Sequence, residues 1–146
     1  MTTKQRKKSH NRRKTIKRRS NNNMKNKIVK TFIEMLNVIK LYHWKTRSFA
    51  EHKATDELYE KLNTHVDKFV EVLLGKTRSR IHMVSLRIDL IEAENTKDIT
   101  KKIHEYRDFM YDMSRTLDSK TDSDLLNIRD EILSDLSQFL YFLTFT

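Results

Sequence analysis

The amino-acid sequence predicts an all-α protein built on a four-helix bundle. The 146 residues include one glycine and no proline, whereas the many turns of a β-sandwich or barrel need residues that tolerate special backbone angles. Beyond residue 24, apolar residues recur at the spacings of three and four that are typical of helices. The length suits one domain with a real core. The chain has no cysteine, which excludes disulfides, thiolate zinc sites and cysteine nucleophiles.

A basic N-terminal arm, residues 1–23, precedes the predicted bundle of residues 24–146. Residues 1–30 hold 13 Lys and Arg side chains and no acidic one, while the other 116 residues hold 17 basic and 20 acidic groups. The formal charge of +10 therefore divides into +13 and −3. Because the arm has almost no large apolar side chain, burial cannot offset its ordering entropy, and we expect it to be disordered. Asn21-Asn22-Asn23 would then be the hinge into the folded body.

The charge of the arm indicates a polyanion as its partner. Clustered cations bind phosphate backbones by releasing condensed counterions, with little sequence preference. The arm has no aromatic residue, so base stacking is not indicated. Nucleic acid, with DNA favoured, is the expected partner; a solvated tail and a nuclear-targeting signal have the same composition. The candidate nucleic-acid-binding residues are Lys4, Arg6, Lys7, Lys8, Arg12, Arg13, Lys14, Lys17, Arg18 and Arg19.

Helix A, residues 24–47, and helix B, residues 50–75, are predicted to form a first hairpin. Each carries an apolar stripe that would bury one helix face. Ser48 and Phe49 form the short connection, and Gly75 stands where a left-handed C-terminal cap is expected. The stripe residues are Ile28, Phe32, Met35, Ile39 and Tyr42 on helix A, and Leu58, Leu62, Val66, Phe69 and Leu73 on helix B.

Residues 76–96 are predicted to form a long crossover. Apolar residues alternate from Val84 to Leu90, which suits an extended segment better than a helix, although a short helix remains an alternative.

Helix C, residues 97–119, and helix D, residues 123–144, would form a second hairpin, with Asp122 or Ser123 capping helix D. Two helical hairpins joined by a long crossover is the arrangement of a ferritin-like bundle. The stripe residues are Ile99, Ile103, Tyr106, Met110, Met113 and Leu117 on helix C, and Leu125, Ile128, Ile132, Leu136, Phe139 and Leu143 on helix D.

Two pairs of polar residues lie along helix B. His52 and Asp56 form the first pair and Asp67 and Glu71 the second, each with a spacing of four that puts both members on one face. The two aspartates are eleven residues apart, which at about 100° per residue is within about 20° of three whole turns. The four side chains therefore share one line, and imidazole with carboxylate suits a divalent metal. His43, near the end of helix A, adds a further nitrogen.

A single chain cannot bring both pairs to one metal ion. The two aspartates are about 16 Å apart along the helix axis, at roughly 1.5 Å per residue. Two copies of helix B packed antiparallel about a two-fold axis near residues 61–62 would place the first pair of one chain opposite the second pair of the other. The spacing therefore predicts a homodimer with two identical shared sites.

The alternative is that these residues are charges on a solvated face, with His43 as a packed, hydrogen-bonded histidine. The usual ferritin signature, Glu-x-x-His on two helices, is absent from the sequence. His65 lies beside this line of polar residues. Its role is either to support the metal ligands or an interface, or simply to pack in the fold.

Residues 24–144 resemble the DNA-protection-during-starvation family, Dps, the miniferritins. Leu41-Tyr42-His43-Trp44 resembles the Tyr-His-Trp segment near the end of that family's first helix. The two pairs on helix B resemble its second-helix ligand pairs, with the same spacing of eleven. Residues 122–143 resemble its last helix.

The resemblance implies a four-helix bundle, usually a spherical dodecamer, that oxidises Fe(II), typically with peroxide, and stores ferric mineral. Several members of the family bind DNA through a basic N-terminal arm. Iron would accordingly be bound and oxidised between chains, with Trp44 beside the site. The catalytic and metal-binding positions that match are His43, His52 and Asp56 of one chain and Asp67 and Glu71 of the other.

Two segments depart from the family pattern. Thr46-Arg47-Ser48-Phe49 stands in place of a Gly-Pro-Asn loop, and the crossover is shorter than usual. A catalytically inactive nucleic-acid packaging or virion structural protein is the alternative, and the chain also resembles ferritin-like proteins of large DNA viruses. Either setting is intracellular, in a nucleoid or a virion interior. No run of about 18 apolar residues is present, so no membrane partner is expected.

Overall fold

The computed structural model describes residues 3–83 and 86–145, without the side chains of residues 3–11, 17 and 18. Helices are the only regular secondary structure in these described residues, which include no strand, and this confirms the all-α class. None of the described helices is long and apolar enough to cross a membrane. The elements are α1 (Thr3–Lys45), α2 (Phe49–Thr77), α3 (Thr96–Asp112) and α4 (Ser123–Phe142), with 3-10 turns at Met113–Arg115 and Leu143–Phe145.

Each helix buries one apolar face in a common core. Every predicted stripe residue is buried, and Met35, Leu62, Ile103 and Leu136 supply one fully inaccessible side chain from each helix. The rings of Phe32 on α1 and Phe69 on α2 meet edge to face, with centroids 5.3 Å apart. Burying a side chain of this size contributes about 1.5–3 kcal/mol, so the apolar spacing determines which face of each helix turns inward.

Helices α1 and α2 form one hairpin and α3 and α4 form a second, and the two hairpins pack together mainly through α2 and α4. The main packing partners of α2 are α1 and α4, while α3 packs against α4 and α1. Lys61 on α2 donates to Gln138 on α4, and Lys76 donates to Asp124 near the start of α4. The later residue on α2 therefore meets the earlier residue on α4, which shows that these two helices are antiparallel.

The crossover runs along the length of the bundle. At its start Ser79 accepts a hydrogen bond from Lys25 on α1, and at its end Glu92 and Glu94 pair with Lys45, twenty residues later on the same helix. Twenty helical residues span about 30 Å. Residues 78–83 and 86–95 form neither helix nor strand, as predicted, and Val84 and Ser85 lie outside the described residues.

The N-terminal arm differs from its prediction. Instead of a disordered arm and a hinge at Asn21-Asn22-Asn23, the backbone is helical without interruption from Thr3 to Lys45. The reason is local, because residues 3–23 contain no Gly or Pro and are rich in Lys and Arg, which have high helix propensity. The side chains of residues 12–16 and 19–23 are exposed, so this part of α1 lies outside the core.

The end of α2 also differs from its prediction. Gly75 lies within the helix, and Arg78 instead adopts the left-handed conformation, with φ 47° and ψ 47°. The N–H of Arg78 bonds the carbonyl of Gly75 and the N–H of Ser79 bonds that of Leu74, at 3.3 and 3.2 Å. These are the two bonds of a Schellman motif. The hydroxyl of Ser79 also accepts a hydrogen bond from Lys25 on α1, at 2.7 Å.

Helix α3, the first helix of the second hairpin, ends earlier along the chain than predicted. Helix α3 stops at Asp112 rather than near residue 119, and one 3-10 turn continues it to Arg115. Asp122 occupies the predicted N-cap position of α4, but its carboxylate accepts the backbone N–H of Asp118, at 2.9 Å, instead of capping the helix.

One buried carboxylate closes the end of the bundle that holds the α1–α2 turn. Glu51, in the first turn of α2, is only 3% exposed. Its carboxylate accepts hydrogen bonds from the hydroxyls of Tyr42 (2.7 Å), Thr46 (2.5 Å) and Thr96 (2.6 Å). These donors belong to α1, the connecting turn and α3, so one side chain joins three segments. Ser48 caps α2 by accepting the N–H of Glu51 at 3.3 Å.

The hydroxyl donors keep this carboxylate ionised. Burial raises the pKa of Glu51, but the hydrogen bonds from Thr46, Thr96 and Tyr42 outweigh burial and leave the pKa below its ordinary value of 4.5. Burial, together with the hydrogen bond to Glu51, raises the pKa of the Tyr42 phenol. Both groups therefore hold their ordinary neutral-pH charge states.

We expect Glu51→Gln to lower the free energy of unfolding by about 1–3 kcal/mol at neutral pH, because a charged acceptor is lost. Since the folded pKa lies below the unfolded one, the carboxylate stabilises the fold above about pH 4.5, and this contribution disappears as the pH falls through the folded pKa. Urea unfolding followed by circular dichroism at neutral pH and at about pH 3 measures the difference. Glu57→Gln, at an exposed position of α2, is the control. An equal loss at both pH values would contradict the role of the charge.

Candidate metal centre and nucleic-acid interface

The two predicted histidine ligands meet where α1 ends and α2 begins. His43 lies in the last turn of α1 and is buried, and His52 lies in the first turn of α2 and is half-buried. The connection of residues 46–48 brings the two helices back beside each other. The imidazole rings stack with centroids 3.9 Å apart and an interplanar angle of 22°.

Each histidine is held by the backbone of the other. Nδ1 of His43 lies 3.0 Å from the carbonyl oxygen of His52, and Nδ1 of His52 lies 3.0 Å from the carbonyl oxygen of His43. Because a carbonyl oxygen can only accept, each Nδ1 donates. In a neutral imidazole this leaves Nε2 with the free lone pair. The hydroxyl of Thr55, 3.1 Å from Nδ1 of His43, supports the same ring orientation.

Asp56 contributes an oxygen beside this histidine pair. Its Oδ1 lies 3.9 Å from Nε2 of His43 and 3.9 Å from Nζ of Lys40. The Lys40 ammonium also lies over the rings of Tyr59 and Trp44, at 4.7 and 5.8 Å. The structure therefore brings together three of the five predicted ligands and places one cation next to them.

The other two predicted ligands, Asp67 and Glu71, lie farther along α2 on its exposed face. They follow Asp56 by eleven and fifteen residues, about 16 and 22 Å along a continuous helix. Among the described residues, no group of three or more His, Asp or Glu side chains is arranged to hold a metal within one chain. A single chain therefore presents two partial sets of donors and no complete site.

Sequence reasoning missed three residues around the histidine pair: Glu51, Thr55 and Lys40. A local signal existed for the first, because Ser48 followed three residues later by Glu51 is a capping-box pattern. Thr55 lies one turn farther on, and its hydroxyl bonds the carbonyl of Glu51 at 2.8 Å. No sequence signal identifies Lys40, since its position depends on packing between α1 and α2.

His65 faces α4 and not the line of polar residues on α2. Its Nδ1 lies 2.7 Å from Oδ2 of Asp135. This contact joins α2 to α4, which favours ordinary packing over a role in supporting metal ligands.

The candidate nucleic-acid-binding residues all belong to the first part of α1. At about 100° per residue, residues 12–14 cover about 200° of the helix circumference, so the cations surround the helix and do not form one face. Those with described side chains are exposed: Arg12, Arg13, Lys14 and Arg19. The side chains of the others lie outside the described part: Lys4, Arg6, Lys7, Lys8, Lys17 and Arg18.

The fold and the site define an all-helical protein with a histidine pair at one end of its bundle and a basic N-terminal helix extension. The model of DUF5856, a family of unknown function, matches residues 43–143. The match covers more than half of the chain, and the chain belongs to this family. No curated protein and no solved structure matches it. The matched segment begins at His43 and contains all five predicted metal ligands.

Lys40→Met should strengthen metal binding beside the histidine pair. The ammonium of Lys40 lies 3.9 Å from Asp56 and would repel a second cation there, so its removal should tighten binding of Co²⁺ by roughly threefold to tenfold. Titration followed by the visible absorption of Co²⁺ measures the affinity. Lys102→Met, which removes a cation paired with Glu105 on α3, should leave the affinity unchanged. Equal affinities in wild type and Lys40→Met would count against a metal at this position.

Proposed function

We propose that this chain is a ferritin-like protein of the Dps type that binds iron between two copies of itself and binds nucleic acid through its basic N-terminal helix extension. The two hairpins, joined by a crossover along the length of the bundle, support the fold assignment. The charge of residues 1–30 supports the nucleic-acid partner. The observation that supports iron binding is that His43 and His52 each donate Nδ1–H to the backbone carbonyl oxygen of the other.

Reciprocal bonding suits metal ligation because a ligating histidine must hold its ring still and keep one nitrogen unprotonated. Metal-bound histidines almost always donate their other N–H to a carbonyl or carboxylate. Both His43 and His52 donate Nδ1–H to a carbonyl oxygen, which leaves both Nε2 atoms as potential ligands. First-row metals bind nitrogen and oxygen at about 2.0–2.2 Å, so Nε2 of His43 and Oδ1 of Asp56, 3.9 Å apart, could contact one ion.

The donor chemistry also fits Fe(II). Two histidines and one carboxylate form a set that binds Fe(II) and leaves other positions open. The open positions would be filled by Asp67 and Glu71 of a second copy, which are exposed in this chain. Because α2 is one continuous helix, a two-fold axis near residues 61–62 brings the two sets together twice.

Iron is the substrate of the proposed site. Two Fe(II) ions would each give one electron to hydrogen peroxide, which takes up two protons and becomes two water molecules. The carboxylates would offset the added charge of Fe(III). Metal loss should leave the fold intact, since the core beneath the site is apolar.

Asp56→Asn should slow Fe(II) oxidation by at least about tenfold, because the substitution removes the negative ligand of the first set. The rate of Fe(III) formation, followed by the ultraviolet absorption of ferric iron, measures the effect. The matched control is Glu57→Gln, a neighbouring exposed carboxylate that bonds Lys61, and it should keep the wild-type rate. Equal rates for Asp56→Asn and wild type would refute the catalytic proposal.

A mixing experiment tests whether the site is shared between chains. Asp56→Asn and Asp67→Asn should each be impaired alone, because every shared site loses one ligand. After the two variants are unfolded and refolded together, about half of the dimers should be mixed, and each mixed dimer carries one intact site. We therefore expect recovery to about a quarter of the wild-type activity. No recovery in refolded, dimeric mixtures would contradict sharing.

A second candidate function is nucleic-acid packaging without catalysis. The observation that favours it is the charge distribution, because thirteen cations without an acid lie in residues 1–30, whereas the body is slightly acidic. Within this segment Arg12, Arg13, Lys14 and Arg19 are exposed, whereas Lys25 is buried and donates to Ser79. A targeting signal would also use such a cluster.

Deleting residues 1–23 should abolish DNA binding while leaving the bundle folded, because the deletion keeps every core residue. Arg12→Gln/Arg13→Gln/Lys14→Gln should reduce the slope of log affinity against log salt by about 3, at about 0.9 per lost phosphate contact. Fluorescence anisotropy with a short duplex across a salt series measures both variants, and thermal unfolding checks the fold. Unchanged binding after the deletion would place the contact on the body.

A further inference from the structure

The basic arm repeats one short unit three times. Each unit is three consecutive cations followed directly by a hydroxyl residue: Arg6-Lys7-Lys8-Ser9, Arg12-Arg13-Lys14-Thr15 and Lys17-Arg18-Arg19-Ser20. No other Ser or Thr occurs from residue 4 to residue 30. Counterion release depends on the cations alone, so polyanion binding does not explain why a hydroxyl follows every cluster.

The structure leaves the hydroxyl residues of the second and third units exposed. Thr15 and Ser20 lie on exposed positions of α1. Arg12 and Arg19, three residues before and four residues after Thr15, are also exposed and are its neighbours on the helix surface. Because the side chains of residues 12–16 and 19–23 are exposed, local opening of this part of the helix costs little.

We infer that Thr15 and Ser20, and by the same sequence pattern Ser9, are phosphorylation sites for a serine/threonine kinase that recognises cations before its acceptor. Such kinases select substrates by complementary charge. The hydroxyl oxygen forms a bond to the γ-phosphorus of ATP as the bond from that phosphorus to the β,γ-bridging oxygen breaks. The hydroxyl proton passes to the catalytic base of the kinase, and ADP leaves.

Modification would release the nucleic acid, a consequence that rests on the proposed function of the arm. Residues 1–23 carry ten cations and no acid. Each phosphate adds about −1.5 to −2, so three phosphates lower the charge from +10 to about +4 to +5.5. A phosphate on Thr15 would also form charge-assisted hydrogen bonds with Arg12 and Arg19, which removes those two cations from DNA.

The modification sites are tested with the full-length protein, labelled ATP and a purified kinase that requires a basic residue, Arg or Lys, both two and three residues before its acceptor. We expect label at Thr15, mapped by mass spectrometry. Arg12→Gln/Arg13→Gln should reduce labelling of Thr15 by roughly tenfold while Ser20 is still labelled. Ser137→Ala, at an exposed serine of α4 without preceding cations, should change nothing. Absence of label, or label that persists in Ser9→Ala/Thr15→Val/Ser20→Ala, would overturn the assignment.

The release of nucleic acid is tested separately on the labelled protein. At about 0.1 M salt, phosphorylated wild type should bind duplex DNA at least about tenfold more weakly, with a salt slope shallower by about 4 to 5. A labelled arm with unchanged DNA affinity would overturn the regulatory consequence. Unmodified protein that does not bind DNA would refute the nucleic-acid proposal, whereas the labelling result would still decide the modification site.

Discussion

The hydrogen bonds of the Glu51 carboxylate determine the geometry at the end of the bundle that holds the histidine pair. A buried charge must be satisfied by several donors, and the three hydroxyls that do so come from α1, the connecting turn and α3. The position of Glu51 in turn sets the first turns of α2. Thr55 bonds the carbonyl of Glu51 and lies beside Nδ1 of His43. The histidine pair is therefore oriented by the same hydrogen-bond network that closes the bundle.

Few atoms around the histidine pair are available to bind a metal ion, because the neighbouring polar groups already have partners. Both Nδ1 atoms of the histidine pair are used by carbonyl oxygens, and Asp56 faces Lys40 across 3.9 Å. The two Nε2 atoms and the carboxylate of Asp56, whose side chain is 49% exposed, remain as possible ligands. An ion bound there by one chain would have few ligands, which is why the exposed second pair on α2 is relevant. Charge balance also favours a second chain, since further carboxylates would offset both Lys40 and the ion.

The apolar core could be predicted from the sequence because periodicity and burial express the same constraint. Met35 and Leu62 are inaccessible to solvent because their spacing along the chain places them on the apolar faces of their helices. The ends of α1 and α2 depended on weaker effects. Helix propensity and like-charge repulsion differ by only tenths of a kcal/mol per residue, and composition alone did not reveal the helix before residue 24. At the site, the resemblance to miniferritins predicted that His43 and His52 of one chain would be ligands of the same site, and the structure stacks their rings. The bond from Thr96 to Glu51 joins residues 45 apart and depends on tertiary packing.

The two proposed functions are physically separate although one helix carries parts of both. From Arg12 to His43, α1 rises by about 46 Å, at roughly 1.5 Å per residue. Electrostatic interactions in physiological salt are screened over about 8 Å, so the cations of the arm do not affect ion binding at the histidine pair. Iron bound between two bundles would likewise not weaken the arm's attraction for phosphate. Any coupling would have to be mechanical, through α1 or through the number of arms that an assembly presents together. Dimerisation through α2 would raise polyanion affinity by bringing two arms to one strand, without any new contact.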